Sequence, residues 1–213
     1  MSKVVESLIR AVCGESENCR ETMQGIYKYI IRLEELIISS PKPVLNRFEP
    51  PLIKNVENIE EIKKALPEDV ASDKALLDYT LSRLLVNEFS QKIEAANLSC
   101  PICGNYPTLI LLDKKPTLSF EVVEARSRCI CGYERVHERF MCPRCGSKGR
   151  EVFESYVTRR GEVKVFRCKK CGHIFGEVDR DGLSDKEIQG LHFALRLAFR
   201  DLEKSEGGVE NPD

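Results

Sequence analysis

The chain has 213 residues, 42% of them hydrophobic, and its 33 basic and 34 acidic side chains leave a formal net charge of −1. This length suits one large or two small domains with a packed core, and no apolar run is long enough to span a bilayer. The start of the chain is amphipathic and has no cleavable hydrophobic segment, so we expect a soluble protein of the cytoplasm.

Charge is unevenly distributed along the sequence. Residues 1–98 hold 13 basic and 16 acidic side chains, residues 99–183 hold 16 and 11, and residues 184–213 hold 4 and 7. The middle segment is therefore mildly basic, which by itself would suit a nucleic-acid partner. Two metal ions with four thiolates each would add about −2 per site and bring that segment close to neutral.

Residues 1–98 are predicted to form a helical domain. An apolar-periodic segment over 4–12 is followed by a longer one that Ser16 would cap, with hydrophobic residues at helical spacing through Ile37. The two prolines of 39–43 end this helix, because proline excludes helical backbone at its own position and disfavours it at the preceding one. The apolar stripes of these helices predict the core of a bundle.

The second half of the helical domain begins with residues 44–56, which we predict to be an extended connection. A short helix is expected after Asn58, because Asn58 and Glu61 resemble a capping box. Ser72 then precedes a longer helix with one apolar stripe. The members of that stripe are Leu77, Leu81, Leu84, Leu85, Phe89 and Ile93.

Eight of the ten cysteines lie in four short pairs, each followed directly by glycine. In chain order the pairs are Cys100 and Cys103, Cys129 and Cys131, Cys142 and Cys145, and Cys168 and Cys171. A Cys-x-x-Cys-Gly run forms a tight turn that brings two thiolates to one ion, and its glycine adopts the backbone conformation that the turn needs. Four pairs predict two sites with four sulfur ligands each, which suits tetrahedral Zn²⁺ or one rubredoxin-type iron, Fe²⁺ or Fe³⁺.

The spacing of the pairs predicts how they combine. The first and second pairs are 25 residues apart, the third and fourth 22, and the second and third only 10. Each longer gap can hold a ribbon that returns to its own ion, so we assign the first two pairs to site one and the last two to site two. The second pair has only Ile130 between its cysteines, which predicts a tighter turn and a distorted or more weakly bound site one.

The segments between the pairs are predicted to be β-ribbons. Strands are expected over 108–112 and 118–123, and a hairpin over 152–167 with its turn at 159–161. We divide this region, 99–183, into two metal-binding ribbons at about 99–135 and 136–183.

The last segment is predicted to be a helix, 184–205, followed by a flexible tail, 206–213. Ser184 and Glu187 form a capping box, and the helix carries an apolar stripe that needs a partner surface. The expected fold is therefore α+β: a helical N-terminal domain, two tandem rubredoxin-like metal ribbons and a docked C-terminal helix.

Disulfides or a redox pair would also use cysteines. Secreted disulfide scaffolds rarely repeat Cys-x-x-Cys-Gly four times, and a thioredoxin-like pair normally occurs singly beside a βαβ unit. Metal binding is therefore favoured, with a structural role as the default. Zinc has no redox chemistry whereas iron would allow electron exchange, and cysteine ligands suit both.

The cysteine region resembles the formate dehydrogenase accessory proteins of the FdhE family. The resemblance covers about residues 99–180: Cys100-Pro-Ile-Cys-Gly-Asn-Tyr-Pro107, Ser127-Arg-Cys-Ile-Cys-Gly-Tyr-Glu134, Phe140-Met-Cys-Pro-Arg-Cys-Gly146, Phe166-Arg-Cys-Lys-Lys-Cys-Gly172 and Val178-Asp179. It implies a helical part before two rubredoxin-like modules. It also implies an accessory protein, not an enzyme, that assists maturation of a molybdenum- or tungsten-containing formate dehydrogenase by binding its catalytic subunit.

Such a role requires a surface for a protein partner. The candidates are the hairpin around 156–165 and the junction between helices and ribbons. An enzymatic role is disfavoured, because four sulfurs close each site and no nucleophile–base pair is evident. His137 and His192 are scattered in the sequence, and His173 is expected to shield the fourth pair or to bond locally.

The alternative is a nucleic-acid-binding zinc ribbon of transcription or RNA processing. A pI near 6.4 and the thiolate charge count against it. Its phosphate contacts would come from Arg126, Arg128, Arg135, Arg139, Arg144, Lys148, Arg150, Lys169 and Lys170, and its stacking surfaces from Tyr133, Phe140 and Phe166.

Cys13 and Cys19 lie far from the four pairs in the sequence. They are expected to be buried thiols, or to form a local disulfide of the kind found in intracellular proteins of thermophiles.

Overall fold

The computed structural model describes residues 1, 3–116, 121–157 and 163–205. The described part of the region before the first cysteine pair is helical, as the apolar periodicity predicts. Its helices are α1 (Lys3–Cys13), α2 (Glu17–Ile38), α3 (Ile59–Lys64), α4 (Glu68–Ser72) and α5 (Lys74–Phe89).

Local side-chain bonds set where the two long helices begin. The Ser16 hydroxyl accepts a hydrogen bond from the Cys19 amide, which confirms the predicted cap of α2. Helix α5 is capped by Asp73, whose carboxylate accepts from the amides of Ala75 and Leu76 at 2.8 and 2.9 Å. The helix expected after Ser72 therefore begins at Lys74, with Asp73 as its N-cap residue.

Asn58 precedes α3 but does not cap it, so the predicted capping box is wrong. Its side-chain oxygen instead accepts from the Val44 amide at 2.9 Å, and its side-chain nitrogen donates to the Lys42 carbonyl at 3.0 Å. The same nitrogen lies 3.3 Å from a Glu61 carboxylate oxygen. Asn58 therefore fastens the chain that leaves α2 against the start of α3.

The predicted extended connection, 44–56, is only partly extended. Leu45 and Val56 form an isolated antiparallel bridge, and Leu52–Asn55 forms a single 3-10 turn. The Leu52 and Ile53 amides donate to the carbonyls of Pro101 and Ile102 at 3.0 and 2.9 Å. This connection is thus bonded directly to the first cysteine pair.

Six strands follow: β1 (Leu109–Pro116), β2 (Glu121–Arg128), β3 (Glu134–Val136), β4 (Phe153–Val157), β5 (Val163–Cys168) and β6 (Ile174–Asp179). They form one sheet in the order β3-β2-β1-β6-β5-β4. The predicted hairpin is confirmed as β4 and β5; its turn at 159–161, and 118–120 of an expected strand, lie outside the described residues.

The sheet is made of two ribbons that repeat side by side. Within each ribbon the strands are antiparallel, with its second strand in the middle. Strand β1 of the first ribbon then pairs with β6 of the second in parallel, over Leu109–Leu112 against Gly176–Asp179. The two ribbons therefore share one continuous hydrogen-bonded sheet.

One face of the sheet packs against helices. Leu109, Leu111, Val163, Val165 and Val178 lie in one core with residues of α1, α2 and the last helix, α6 (Asp185–Ser205). The opposite face carries a smaller aromatic cluster around Phe153 and Phe175. The α+β fold class predicted from the sequence is confirmed, with helices before two cysteine-rich ribbons and a helix after them.

Helix α6 begins at the predicted capping box. The Ser184 hydroxyl accepts from the Glu187 amide, and the Glu187 carboxylate accepts from the Ser184 amide. Ile188, Leu191 and Leu195 are buried between α2 and the sheet. The tail 206–213 lies outside the described residues.

Cys13 and Cys19 form a disulfide across the turn between α1 and α2, which corrects the expectation of buried thiols. Of the two alternatives, the structure has the local disulfide. In the part of the chain that the structure describes, no helix is both long and apolar enough to cross a membrane.

His192 of α6 is fully buried. Its Nε2 lies 2.7 Å from the Thr108 hydroxyl, and within the described residues its Nδ1 has no hydrogen-bond partner. Burial lowers the pKa of His192 well below its ordinary value, and the positive charges of Arg128 and Arg196 lower it further. The imidazole is therefore neutral in the folded protein.

Replacing His192 with Gln is expected to flatten the dependence of stability on pH. Unfolded His192 takes up a proton near pH 6.5 and the folded residue does not, so its stabilising effect is full above about pH 6.5 and is lost as the pH falls below it, by up to about 1.4 kcal/mol per pH unit. Thermal unfolding at pH 7 and pH 5.5 should show a larger loss for the wild type than for His192→Gln. Equal losses in the two proteins would contradict this assignment.

Candidate metal centres

The cysteine pairs sit in tight turns that are closed by backbone bonds and that end in glycine. In three of them the glycine amide donates to the carbonyl of the first cysteine, four residues earlier, at 2.8 or 2.9 Å. These glycines have φ of 69–79°, the left-handed region that residues with a Cβ avoid. They are Gly104, Gly146 and Gly172.

The second pair forms the same kind of turn with one residue fewer. The Gly132 amide donates to the carbonyl of Cys129, three residues earlier, and the Cys129 amide donates to Tyr133. In the first pair the corresponding bond runs from the Cys100 amide to Asn105, five residues on. Removing one residue therefore shifts the closing bonds by one position and keeps both cysteines on the inside of the turn.

The eight predicted ligands come together in two groups, one from the first two pairs and one from the last two. Within each group all four sulfurs lie within 4.8 Å of one another. The short contacts are Cys100–Cys131 at 3.5 Å, Cys103–Cys129 at 3.4 Å, Cys142–Cys171 at 3.6 Å and Cys145–Cys168 at 3.7 Å. Four sulfurs about 2.3 Å from one tetrahedral ion would be about 3.8 Å apart, so both groups fit a metal ion.

The electrostatics of one buried thiol in each group also favour a nearby cation. Burial raises the pKa of the Cys131 thiol well above its ordinary value and raises that of Cys142 as well. Thiolates are therefore unfavourable at these positions unless a positive ion lies among them. A bound divalent ion would supply that charge and hold the two turns of each ribbon together, which is chemistry that Zn²⁺ and Fe²⁺ share.

The first group lies inside the helical core. Cys100, Cys129 and Cys131 are at most 2% exposed and belong to one apolar cluster with Leu52 and Leu85. The turn at Leu52–Asn55 is bonded to the backbone of the first pair, as described above. This group is thus enclosed by residues from both the helices and the first ribbon.

A buried ion pair, Arg83 with Glu34, lies against the first group. The Arg83 Nε donates to one Glu34 oxygen at 2.8 Å and a terminal nitrogen to the other at 2.6 Å, while the second terminal nitrogen donates to the Cys131 carbonyl at 3.1 Å. Both side chains are about 5% exposed. Arg83 therefore connects α2 and α5 to the second cysteine pair.

This ion pair is hard to predict from the sequence. Glu34 and Arg83 are 49 residues apart, and each has the appearance of a solvated charge on an amphipathic helix. The one available hint was that α5 carries large apolar residues on nearly every side, including Leu81, Leu85 and Val86. A helix that is apolar all round is buried, and a charge within it then needs a partner.

Arg128 provides a second connection, from the end of β2 to α6. It is 1% exposed, forms ion pairs with Glu134 and Asp185, and donates to the Gln189 side chain at 3.0 Å. The Gln189 amide in turn donates to the Ile130 carbonyl inside the second cysteine pair. Arg128 was a candidate phosphate contact, and its burial removes it from that role.

The second group is more open to solvent. Cys145 is exposed and Cys171 is partly exposed, whereas Cys142 and Cys168 are buried beside Phe153 and Phe175. The Cys145 sulfur lies 3.2 Å from the Ser147 hydroxyl. An ion in this group would therefore be reached from solvent more easily than one in the first group.

Among the described residues, neither metal-compatible group includes a histidine. His173 Nε2 lies 2.8 Å from the Pro107 carbonyl, 66 residues away in the sequence, so its bond reaches the first ribbon and is not the local one expected. His137 Nε2 lies 2.9 Å from the Met141 carbonyl. A metal ion in either group would therefore have sulfur ligands.

Several other basic residues considered for nucleic-acid contacts have intramolecular partners. Arg135 donates to the carbonyls of Asn97 and Leu98, and Tyr133 is buried. The remaining partners are Glu124 and Asp113 for Arg126, Glu138 for Lys148, the Glu151 carbonyl for Lys169, and the Tyr106 ring for Arg144.

No protein-family model matches the sequence, and no curated protein matches it. Among solved structures, the crystal structure of the FdhE protein from Pseudomonas aeruginosa has a TM-score of 0.44 and 14% identity, over 97% of this chain and 82% of that chain. Likeness at this level carries no argument about fold or function, which here rest on the two cysteine groups and their surroundings.

Replacing Arg83 with Met is expected to lower the free energy of unfolding by about 3–5 kcal/mol, because Glu34 would keep a buried charge without its cation. Adding Glu34→Leu should restore most of that loss. Lys63→Met, in the exposed pair with Glu60, is the control and should change stability little. Denaturant unfolding of the metal-loaded proteins measures all four; an Arg83→Met protein as stable as the wild type would contradict the assigned role.

Release of metal to an excess of chelator is expected in two phases, the second group first. Exposure of Cys145 and Cys171 lets the chelator reach the second ion, whereas the first lies within the core. The shortened second pair would favour the opposite order if it weakened the first site. Cys145→Ser distinguishes the two orders of release. The variant should lose the fast phase and keep one slowly released ion. A surviving fast phase would show that burial does not decide the order.

Proposed function

We propose that this chain is a metal-binding accessory protein that holds a partner polypeptide. The observation that carries the proposal is the enclosure of one four-cysteine group in the same core as α2 and α5, within a sheet that continues to the other group. Two ions held there would make helices and ribbons one rigid surface. Four sulfurs leave no open coordination position for substrate, so an accessory role is favoured over an enzymatic one.

The junction between helices and ribbons has a cleft suited to a polypeptide. Its volume is about 680 Å³, and its walls include Asn87 and Gln91 from the end of α5, Gly132 of the second pair, and Leu183 beside α6. Arg180, Glu134 and Asp185 also line it, whereas Arg83 and Arg128 are buried beneath it and bonded within the protein. Hydrogen-bonding groups of both signs suit a polar peptide segment better than an apolar helix.

The partner that we propose is the catalytic subunit of a molybdenum or tungsten formate dehydrogenase. The order and spacing of the four cysteine pairs, which resemble those of the FdhE family, support this choice. Zinc and iron both fit the sulfur groups. With iron, the partly exposed second group would also allow electron exchange with the partner.

Loss of the second site is expected to abolish partner binding. Cys142→Ser or Cys168→Ser leaves three sulfurs around the second ion, and without that ion the turns of the last two pairs have only the small cluster around Phe153 and Phe175 to hold them. Co-purification with a co-expressed catalytic subunit measures binding, and circular dichroism with metal analysis measures folding. Retention of fold and binding in both variants would defeat the proposal.

Two further sets of variants test whether loss of partner binding is specific to the second site and to the cleft. The Cys13→Ser/Cys19→Ser double variant removes cysteines outside both groups and should keep two ions and full binding. Gln91→Arg places a bulky charge in the cleft and should weaken binding at least tenfold, whereas Gln24→Arg on α2 should not. Equal effects of the two arginine substitutions would exclude the cleft as the binding surface.

A further inference from the structure

A groove with an aromatic floor lies on the sheet face away from the helices. Phe153 and Phe166 line it, and the buried Phe175 packs against both, with ring centres 5.4–5.9 Å apart. Phe166 is only partly buried, and the groove above it has a volume of about 320 Å³. A space of this size can take one small ring compound.

Phe140 forms one side of this groove. Its φ is 58°, a left-handed conformation that is unfavourable for a residue with a side chain, and its carbonyl accepts from the Gly149 amide at 3.0 Å. The loop that leads into the third cysteine pair therefore holds Phe140 in this position, and its ring is partly exposed. Unfavourable backbone conformations of this kind concentrate at binding sites.

Two arginines converge on the Phe140 ring. The guanidinium carbons of Arg139 and Arg150 lie 5.5 and 4.5 Å from its centre. Both side chains line the groove and are exposed, and within the described part of the chain neither forms an ion pair. Lys164 adds a third cation, which is paired with Glu177 at 3.2 Å. The groove therefore has a net positive charge beside flat apolar rings.

An aromatic ring surface bordered by unpaired guanidinium groups suits a ligand with a planar ring and an anionic group. Bases stack on Phe side chains irrespective of sequence, and phosphates bind arginine. An acidic peptide would use the cations and leave the rings unused, and a duplex keeps its bases stacked inside. We infer that the groove binds a nucleotide unit, with its base against Phe140 or Phe166 and its phosphate at Arg139 and Arg150.

The same chemistry is offered by a free mononucleotide and by one unit of a single strand. This inference does not rest on the proposed accessory function, because the groove and the cleft lie on different parts of the molecule and share no lining residue. The groove also brings together four residues of the predicted nucleic-acid set: Arg139, Phe140, Arg150 and Phe166.

Fluorescence anisotropy with a labelled ten-nucleotide oligo(U), at about 50 mM salt, tests the inference on the full-length, metal-loaded protein. Phe140→Leu is expected to weaken binding about five- to hundredfold through loss of stacking. Arg139→Gln with Arg150→Gln should weaken it and make the slope of log affinity against log salt shallower by about 1.4. Competition by UMP distinguishes a free nucleotide from a single strand as the ligand. Displacement of oligo(U) by UMP shows that a free nucleotide suffices, and no displacement shows that a strand is needed.

The matched control removes two exposed cations from the helical part, Lys28→Gln with Arg47→Gln, and should leave affinity and salt slope unchanged. Metal content and circular dichroism verify that each variant is folded. Absence of oligo(U) binding overturns the inference, as does an equal loss in the control pair. It is also overturned if a polyglutamate peptide competes as well as oligo(U) while Phe140→Leu has no effect, since the groove would then respond to charge alone.

Discussion

Four thiol groups within 4.8 Å of one another, most of them out of water, are suited to hold a cation among them, and this molecule contains that arrangement twice. The rest of the fold follows from it. Each turn ends in a glycine that frees the backbone to bring two sulfurs to one side. The first group is then surrounded by α5 and by the connection at Leu52–Asn55, so the helices and the first ribbon pack around one centre.

The two ribbons are related by a translation across the sheet and not by a two-fold axis. The first strand of one ribbon, β1, lies beside the third strand of the other, β6, so both ribbons present the same face to the helices. That face is covered by α1, α2 and α6. On the opposite face no helix residue that the structure describes lines the groove beside Phe140, and the junction beside Gly132 leaves a second open region. Two surfaces thus result from one arrangement of strands.

What the sequence predicts well here is local. The cysteine pairs, the β4–β5 hairpin and the caps at Ser16 and Ser184 each depend on residues a few positions apart. The features that could not be predicted depend on tertiary contacts. Asn58 has the sequence of a cap, but its side chain bonds the backbone near Val44. The sequence of α5 indicates that the helix is buried, but it does not show that Glu34 lies opposite Arg83. The parallel pairing of β1 with β6 is equally invisible, because the two strands belong to different ribbons.

X-ray absorption at the zinc and iron edges, together with metal quantification, shows whether both cysteine groups bind a metal ion. We expect two ions per chain, each with about four sulfur neighbours near 2.3 Å and no oxygen or nitrogen ligand. The edge that responds identifies the metal, and with it whether the second site can carry electrons. Fewer than one ion per chain, or oxygen and nitrogen ligands in place of sulfur, would show that the two groups are not the metal sites described here.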